Sequence, residues 1–393
     1  MSAPARRAVI VDGVRTPFGK GRAGGALGGV HPVDLYAGLL GVLVARQALA
    51  PALVDDVITG CVIQVGEQAG NIGRQAVLAA GFPESVPAVT IDRKCGSAQQ
   101  AIDFAAQGII AGAADVDIAG GVEMMGTVEA KSNRLGRDSL GPRFHARYPD
   151  GLVHQGVSAE LIAARYGLSR GEMDAFAARS HALAARAEDD GLWRDTVLPV
   201  DDVVRDEGVR RGTSIEALGA LKPAFQSPEM AARFPEIDWG VTAGNASQVS
   251  DGASALLLME EGLARRMGFR ARAAVTHFAA VGDDPLLMLT GVIPATRKLL
   301  ARAGLTVADI DSCEINEAFA SVVLAWAQAT GADLARVNRF GGAIAIGHPV
   351  GASGGRLMLN LLCALEVTGG RYGLLSMCES GGMANATLVE RLD

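Results

Sequence analysis

Two stretches of this chain carry the same features in the same order, and that repetition limits the folds open to it. In the first, a helical run from Leu35 to Leu49 passes through Pro51-Ala52-Leu53-Val54-Asp55-Asp56 into the strand-like Val57 to Val62. In the second, Pro294 to Ala303 passes through Leu305-Thr306-Val307-Ala308-Asp309 into Ile310 to Ile315. Asp309 follows Asp56 by the same interval at which His348 follows Cys95. A shared interval predicts an internal duplication, with the cysteine and the histidine at corresponding places in two halves. Short apolar strands alternating with helices make each half α/β. Residues 1–121 and 250–271 are assigned to the first half and 272–393 to the second. Between them, 122–249 has another texture, richer in charge and irregular stretches. Its clearest element is a helix capped by Ser169, with Glu172 completing a capping box and Gly191 ending it.

Cys95 sits in Asp92-Arg93-Lys94-Cys95-Gly96-Ser97-Ala98, where the strand-like Val86 to Ile91 gives way to a small-residue helix, Ala98 to Ile110. A thiol at a helix N-terminus meets unpaired N–H groups and the positive end of the macrodipole, and Arg93 and Lys94 add charge. Both effects are expected to favour the thiolate. An isolated cysteine in such a place is more often a buried core thiol. Two distant segments change that balance. His348 lies inside the glycine-dense run Gly341 to Gly355, ahead of the apolar helix Arg356 to Leu365. Cys378 follows the apolar strand Tyr372 to Met377 and precedes Ser380-Gly381-Gly382, where neighbouring amides could serve as oxyanion donors.

These residues carry a family resemblance. Cys95-Gly96-Ser97-Ala98, Asn316-Glu317-Ala318-Phe319, Gly347 to Gly354 (Gly-His-Pro-x-Gly-x-Ser-Gly) and Cys378 to Gly382 resemble, in order, the motifs of the thiolases. Thr242 to Ser247 with Asp251-Gly252-Ala253 resembles that family's pantetheine-binding segment. The matches cover essentially the whole chain. The resemblance implies an α/β thiolase fold: two duplicated βαβαβ-type halves layered α-β-α-β-α, with an inserted loop domain over the coenzyme A site. It implies an acyl-CoA C-acyltransferase working through an acyl-thioester on Cys95, with His348 as its base and Cys378 as general acid and base. His348 with a water held by Asn316 would stabilise the enolate, and the N–H groups of Cys95 and Ser380 the tetrahedral intermediate. Ser380 stands where the family usually has glycine, which a negative φ would accommodate. Ser247, Gln155, Phe319, Lys222 and Arg210 are the expected contacts to acyl-CoA, with Arg210, Arg211 and Lys222 candidates for its phosphates.

The resemblance leaves direction and chain length open. Acetoacetyl-CoA-forming members usually carry a His-Met pair where this chain has His154-Gln155-Gly156. That leans the reading toward cleavage of a 3-ketoacyl-CoA longer or bulkier than acetoacetyl, with the acetoacetyl-CoA-forming enzyme as the alternative. A ketoacyl synthase would show histidine near position 316, and a non-catalytic lipid carrier would be expected to lose one of Cys95, His348 or Cys378. Acyl-CoA and coenzyme A are expected as substrates, with no permanently bound cofactor and no metal. A dimer or tetramer is expected from the resemblance alone.

Composition bounds the rest. At 393 residues, 49% hydrophobic and 20% charged, the chain can bury one large core or two fused ones. Its formal charge of −7 gives no electrostatic reason to expect nucleic acid. No apolar run approaches the roughly 20 residues of a membrane helix, and no secretory leader or peroxisomal address is read at the ends. Five cysteines without C-x-x-C spacing point to a reducing cytoplasm rather than a disulfide framework. Cys61, Cys313 and Cys363 are expected in the core.

Overall fold

The computed structural model describes residues 6–129 and 132–392. Met1 to Ala5 and Asp393, read above for address signals, lie outside them. Ten strands, among the described residues, form a single mixed sheet. They are β1 (Ala8–Arg15), β2 (Gly19–Lys20), β3 (Asp56–Gly60), β4 (Ala88–Ile91), β5 (Val116–Met124), β6 (Ser250–Glu260), β7 (Ala273–Gly282), β8 (Ser312–Ile315), β9 (Tyr372–Glu379) and β10 (Met383–Arg391). The order is β4-β3-β5-β6-β1-β7-β10-β9-β8, with β2 paired to β6. The halves join where β1 runs antiparallel to β7, from Ala8 opposite Val275 to Ile10 opposite Ala273.

The helices are α1 (Pro32–Arg46), α2 (Ile72–Ala79), α3 (Ser97–Ala111), α4 (Pro142–Arg147), α5 (Gln155–Tyr166), α6 (Arg170–Asp189), α7 (Ile215–Gly219), α8 (Pro228–Arg233), α9 (Glu261–Arg266), α10 (Val292–Ala303), α11 (Ala320–Thr330), α12 (Ala343–Ile346) and α13 (Ser353–Thr368). Ala101, Ile102 and Ala105 of α3 and Leu357 and Leu361 of α13 share one core with Ile10 and Leu258 of the first half and Val275 and Met377 of the second. So α3 and α13 form a central layer between the two halves. Helices α1 and α2 cover the outside of the first half, and α10 and α11 that of the second. The result is the α-β-α-β-α stack expected from sequence.

The duplication is real, but its register differs from the sequence expectation. Asp55 accepts the N–H groups of Asp115 and Val116, and Asp311 those of Arg371 and Tyr372, with the same side-chain oxygen. The interval from Asp55 to Asp311 also separates the starts of α3 and α13, of β5 and β9, and of the short 3₁₀ turns Pro51–Leu53 and Val307–Asp309. It is three residues longer than the interval from Cys95 to His348. Cys95 therefore corresponds to Gly351, and His348 precedes that place by a turn of loop. An aspartate accepting two amides fixes the register; matching Asp56 to Asp309 missed it because the sequence offers adjacent aspartates.

Strand β5 continues to Met124, pairing with Asp251, so the sheet extends past residue 121. Beyond it the chain leaves the sheet until Ser250, and α5 and α6 pack onto the second half, with Ser321 Oγ donating to Ala159 O at 2.9 Å. Helix α6 starts at the expected Ser169–Glu172 capping box and stops before Gly191, whose φ is 67°. The same segment is tied to the first half by a buried ion pair. Arg15 and Asp206, with side chains 1% and 2% exposed, meet through two bonds of 2.7 Å. Asp206 also accepts the Phe18 N–H, and the guanidinium lies over the Phe18 and Trp193 rings. Asp206→Ala would leave a buried cation without a counter-charge, so it is expected to cost about 3–5 kcal/mol. A denaturant midpoint unchanged from wild type would contradict this.

Candidate active site

The turn that presents Cys95 is built from local hydrogen bonds. Gly96 N donates to Arg93 O at 3.1 Å and Ser97 N to Lys94 O at 3.0 Å. Ser97 Oγ accepts the Arg93 N–H at 2.9 Å and donates to Lys94 O at 2.6 Å. This forces Lys94 to φ 50°, a left-handed backbone rarely held by a non-glycine residue outside functional turns. Gly96 is the helix cap and α3 begins at Ser97, so Cys95 stands just before the cap.

That position corrects the expected thiolate. Enclosure by the protein pushes the Cys95 thiol up to about 12, and the neighbouring Glu379 carboxyl adds to the rise when it is ionised; Lys94 opposes it only weakly. Lys94 is already paired with Asp92 at 2.5 Å. At rest this favours the thiol, so an attack by the sulfur would need a base to take its proton.

His348 is held in a form that could accept a proton. Its N–H donates to Gln248 O and to Ser250 Oγ, at 3.1 and 3.0 Å. Gln248 in turn spans the glycine-dense run, donating to Ile344 O at 2.8 Å and Ala345 O at 3.1 Å. In the ring, Nδ1 lies 2.6 Å from Ser353 Oγ, whose own proton goes to Pro349 O at 2.8 Å. Ser353 is thus an acceptor towards the imidazole, so Nδ1 carries the hydrogen and Nε2 is left bare. Nε2 faces Asn316 Nδ2 at 3.4 Å. Burial, helped by Arg356, pushes His348 down to about 3. The imidazole therefore stays neutral from acid pH upward and keeps its lone pair for a proton.

Asn316 links the remaining groups. It is fully buried at the end of β8, with its N–H on Ser376 O at 3.1 Å. Its side chain also bonds Cys378, which opposes the upward push that burial and the nearby Cys95 give that thiol. Asn316 Oδ1 has no partner among the described residues, an acceptor suited to a bound water. Next to it Glu317 accepts Asn338 Nδ2 at 2.9 Å, Ser180 Oγ at 2.7 Å and Ile344 N at 3.2 Å. A Cβ on Gly342 would lie 2.3 Å from the Glu317 carboxyl carbon, so only glycine fits there. Ser380 opens the turn between β9 and β10 with a negative φ, while Gly381 and Gly382 take 95° and 77°. The serine is accommodated without strain.

Of the expected substrate contacts, Phe319 meets the Phe225 ring edge-on at 5.9 Å, and His154 stacks on that same ring at 5.2 Å. Gln155 follows His154 at the start of α5. Ser247 donates its N–H to Ala318 O at 2.9 Å, beside the bridge from Ala246 to Phe319. Arg210 and Lys222 have exposed side chains. Arg211 is committed to Asp189 at 2.7 Å and to Glu188. Cys61, Cys313 and Cys363 are buried. Sequence reasoning gave no role to Ser353, Gln248, Glu317 or Phe225. The first three act by hydrogen bonds across the chain, and no local pattern marks such partners. No group of histidine, cysteine and carboxylate side chains among the described residues could hold a metal ion. None of their helices is long and apolar enough to cross a membrane.

The same arrangement of segments is found in known proteins. The family described as thiolase, N-terminal domain, matches residues 8–262, and thiolase, C-terminal domain, matches 269–391. The chain is 46% identical to the steroid 3-ketoacyl-CoA thiolase FadA6 of Mycobacterium tuberculosis, over 98% of this chain and 94% of that one. It is 40% identical to an acetyl-CoA acetyltransferase of Allochromatium vinosum, over 98% and 99%. The crystal structure of the Bacillus anthracis acetyl-CoA acetyltransferase superposes with a TM-score of 0.88 at 37% identity, covering 99% of each chain. With both family domains matched in order across nearly all of its length, the chain belongs to the thiolase family.

Proposed function

We propose that this acyl-CoA C-acyltransferase holds its acyl group on Cys95, moves the α-carbon proton with Cys378, and works in the direction of 3-ketoacyl-CoA cleavage. The observation that carries the reading is the convergence of two thiols, a buried amide and a neutral imidazole: Cys95 acts on Cys378, and Asn316 bonds both Cys378 and His348. In cleavage, Cys95 Sγ attacks the 3-keto carbon as its proton passes to His348 Nε2. The bond between C2 and C3 breaks, the acyl group stays on Cys95, and the electron pair goes to the thioester enolate. Cys378 then protonates C2, releasing acetyl-CoA. Coenzyme A attacks the acyl-Cys95 thioester as its own thiol proton passes to the Cys378 thiolate, and His348 returns its proton to the departing sulfur of Cys95, so both thiols and the neutral imidazole are restored. Asn316 Oδ1 would hold a water against the enolate oxygen, and the amides of Cys95 and Ser380 would receive the tetrahedral oxyanion.

No permanent cofactor is needed for these steps. The aromatic set His154, Phe225 and Phe319, with Gln155 and Ser247 beside it, is the proposed seat of the acyl chain and pantetheine arm. A name among the relatives, steroid 3-ketoacyl-CoA thiolase, supports a bulky acyl group. Arg210 and Lys222, both exposed, are kept as the contacts to coenzyme A phosphates. Strand β4 is an open edge with Val89 exposed, which supports a homo-oligomer joined there. Five free cysteines support a cytoplasmic setting. The test is a thiolysis panel of 3-ketoacyl-CoAs of increasing length and branching, run beside the condensation assay. Longer or bulkier substrates are expected to give kcat/KM at least about tenfold above acetoacetyl-CoA. Cleavage confined to acetoacetyl-CoA would return the enzyme to the short-chain alternative.

A further inference from the structure

The duplication sets two glutamates at equivalent strand ends with opposite surroundings. Glu123, one residue from the end of β5, accepts Val62 N at 2.8 Å, Ile63 N at 3.1 Å and Gln68 Nε2 at 2.8 Å. Glu379, at the matching place on β9, is equally buried, yet neither of its oxygens has a donor among the described residues. Strand alternation turns it to the face opposite Cys378, towards the start of α3. There it lies against Gly96: a Cβ at that glycine would sit 2.1 Å from Glu379 Oε1 and 3.0 Å from Asn385 Oδ1. Asn385 Oδ1 is buried and has no donor either, while its Nδ2 donates to Gly96 O at 3.3 Å. Two buried acceptors facing one point repel each other unless a proton lies between them.

We propose that Glu379 is a neutral carboxylic acid that donates its proton to Asn385 Oδ1 behind the Cys95 turn, and that its ionisation switches off the nucleophile at alkaline pH. Glu379 is a positioning residue here: it acts on the substrate only through Cys95 and its turn. The proposal rests on the reading of Cys95 as acyl carrier for its meaning, though not for its test. The charged neighbours define the sign. From the segment before α3, Arg93 favours the carboxylate and Asp92 disfavours it; from α3, Asp103 disfavours it; burial, with the two aspartates beside it, outweighs Arg93 and pushes Glu379 up to about 8. Lys94, Cys95 and, on β9 itself, Cys378 are the other titratable groups around it, and Glu123 acts on Cys95 from the first half. Below that value the acid is neutral and costs the Cys95 thiolate nothing. Above it, a negative charge beside the sulfur opposes thiolate formation.

Two measurements test this. Infrared difference spectra of wild type against Glu379→Gln should contain the carbonyl band of a neutral carboxylic acid near neutral pH, vanishing with a midpoint of about 8. Alkylation of Cys95 by iodoacetamide, followed by peptide mass, should run together in the two proteins on the acid side. One unit above the midpoint the Gln variant should react about tenfold faster, as an uncharged neighbour requires. Glu379→Leu, also uncharged at every pH, should share the Gln profile, so the test stands if only one variant folds. Absence of the band, or alkylation curves that stay parallel through the range, would overturn the proposal. A band and divergent curves in a protein that takes no acyl group on Cys95 would uphold it and refute the acyl-carrier reading instead.

Discussion

Cys95→Ala is expected to abolish acyl transfer from acyl-CoA and thiolysis together, each by a factor on the order of 10⁴ or more. The loss is expected to be large because, in the proposed reaction, the thiol supplies the covalent intermediate itself, and none of the other thiols among the described residues is placed to replace it. Cys378 is fully enclosed and held by Asn316, and the remaining thiols are buried in the core. The fold should survive the change. The turn is made by Gly96, Ser97, Arg93 and Lys94 rather than by the sulfur, and Cys95 itself is half-buried. Acylation followed by the mass of the Cys95 peptide, with circular dichroism as the check on folding, reads the result. Thiolysis persisting in a folded Cys95→Ala protein would remove this residue from the chemistry. The pH dependence carries a related sign. Because His348 is held neutral down to about 3, acyl transfer should show no acid limb near the ordinary histidine value of 6.5.

The sequence disclosed the chemistry of this site more fully than its electrostatics. Cys95, His348, Asn316 and Cys378 each stand at a junction between regular structure and small residues, and such junctions leave a local signature in glycine spacing. Helix α6 was readable for the same reason, since Ser169 and Glu172 cap it within one turn. The protonation states were not readable. A helix start and two basic residues suggested a thiolate at Cys95, but the cap falls one residue later and Asp92 takes up Lys94. The imidazole tautomer depends on Ser353 passing its proton to Pro349 O, a fact of three dimensions. Likewise the register of the duplication depends on which aspartate accepts two amides across the sheet, and only the strand pairing distinguishes Asp55 from Asp56. Nothing in the local sequence joins Glu379 to Asn385, and both come to face one glycine only because the fold sets Gly96 against them.

Cys378→Ala is expected to separate the two half-reactions. Acylation of Cys95 by acyl-CoA should persist within a few-fold of wild type, while carbon–carbon bond formation and cleavage should fall by about 10²–10⁴, the range lost with a general acid–base group. The separation follows from position. In the proposed reaction Cys95 passes its proton to the bare Nε2 of His348, whose ring meets Ser353 and whose backbone N–H is held by Gln248 and Ser250, none of which involves Cys378. In that scheme the carbon acid step has no spare base: His348 is taken up with the Cys95 proton, and Glu379 is turned to the opposite side of β9. Removing the sulfur also deprives the Asn316 side chain of a partner, so Cys378→Ser is the companion variant. It keeps a hydrogen-bonding group of similar size but, with a hydroxyl far harder to deprotonate than a thiol, should lose the same step. Labelled acyl transfer from acyl-CoA measures the first half-reaction and the thiolysis assay the second. If both variants acylate normally and fail at thiolysis, the two thiols divide the reaction between them. If acylation and thiolysis fall equally, Cys378 serves the nucleophile rather than the α-carbon, and the base for the carbon acid has to be sought elsewhere in the site.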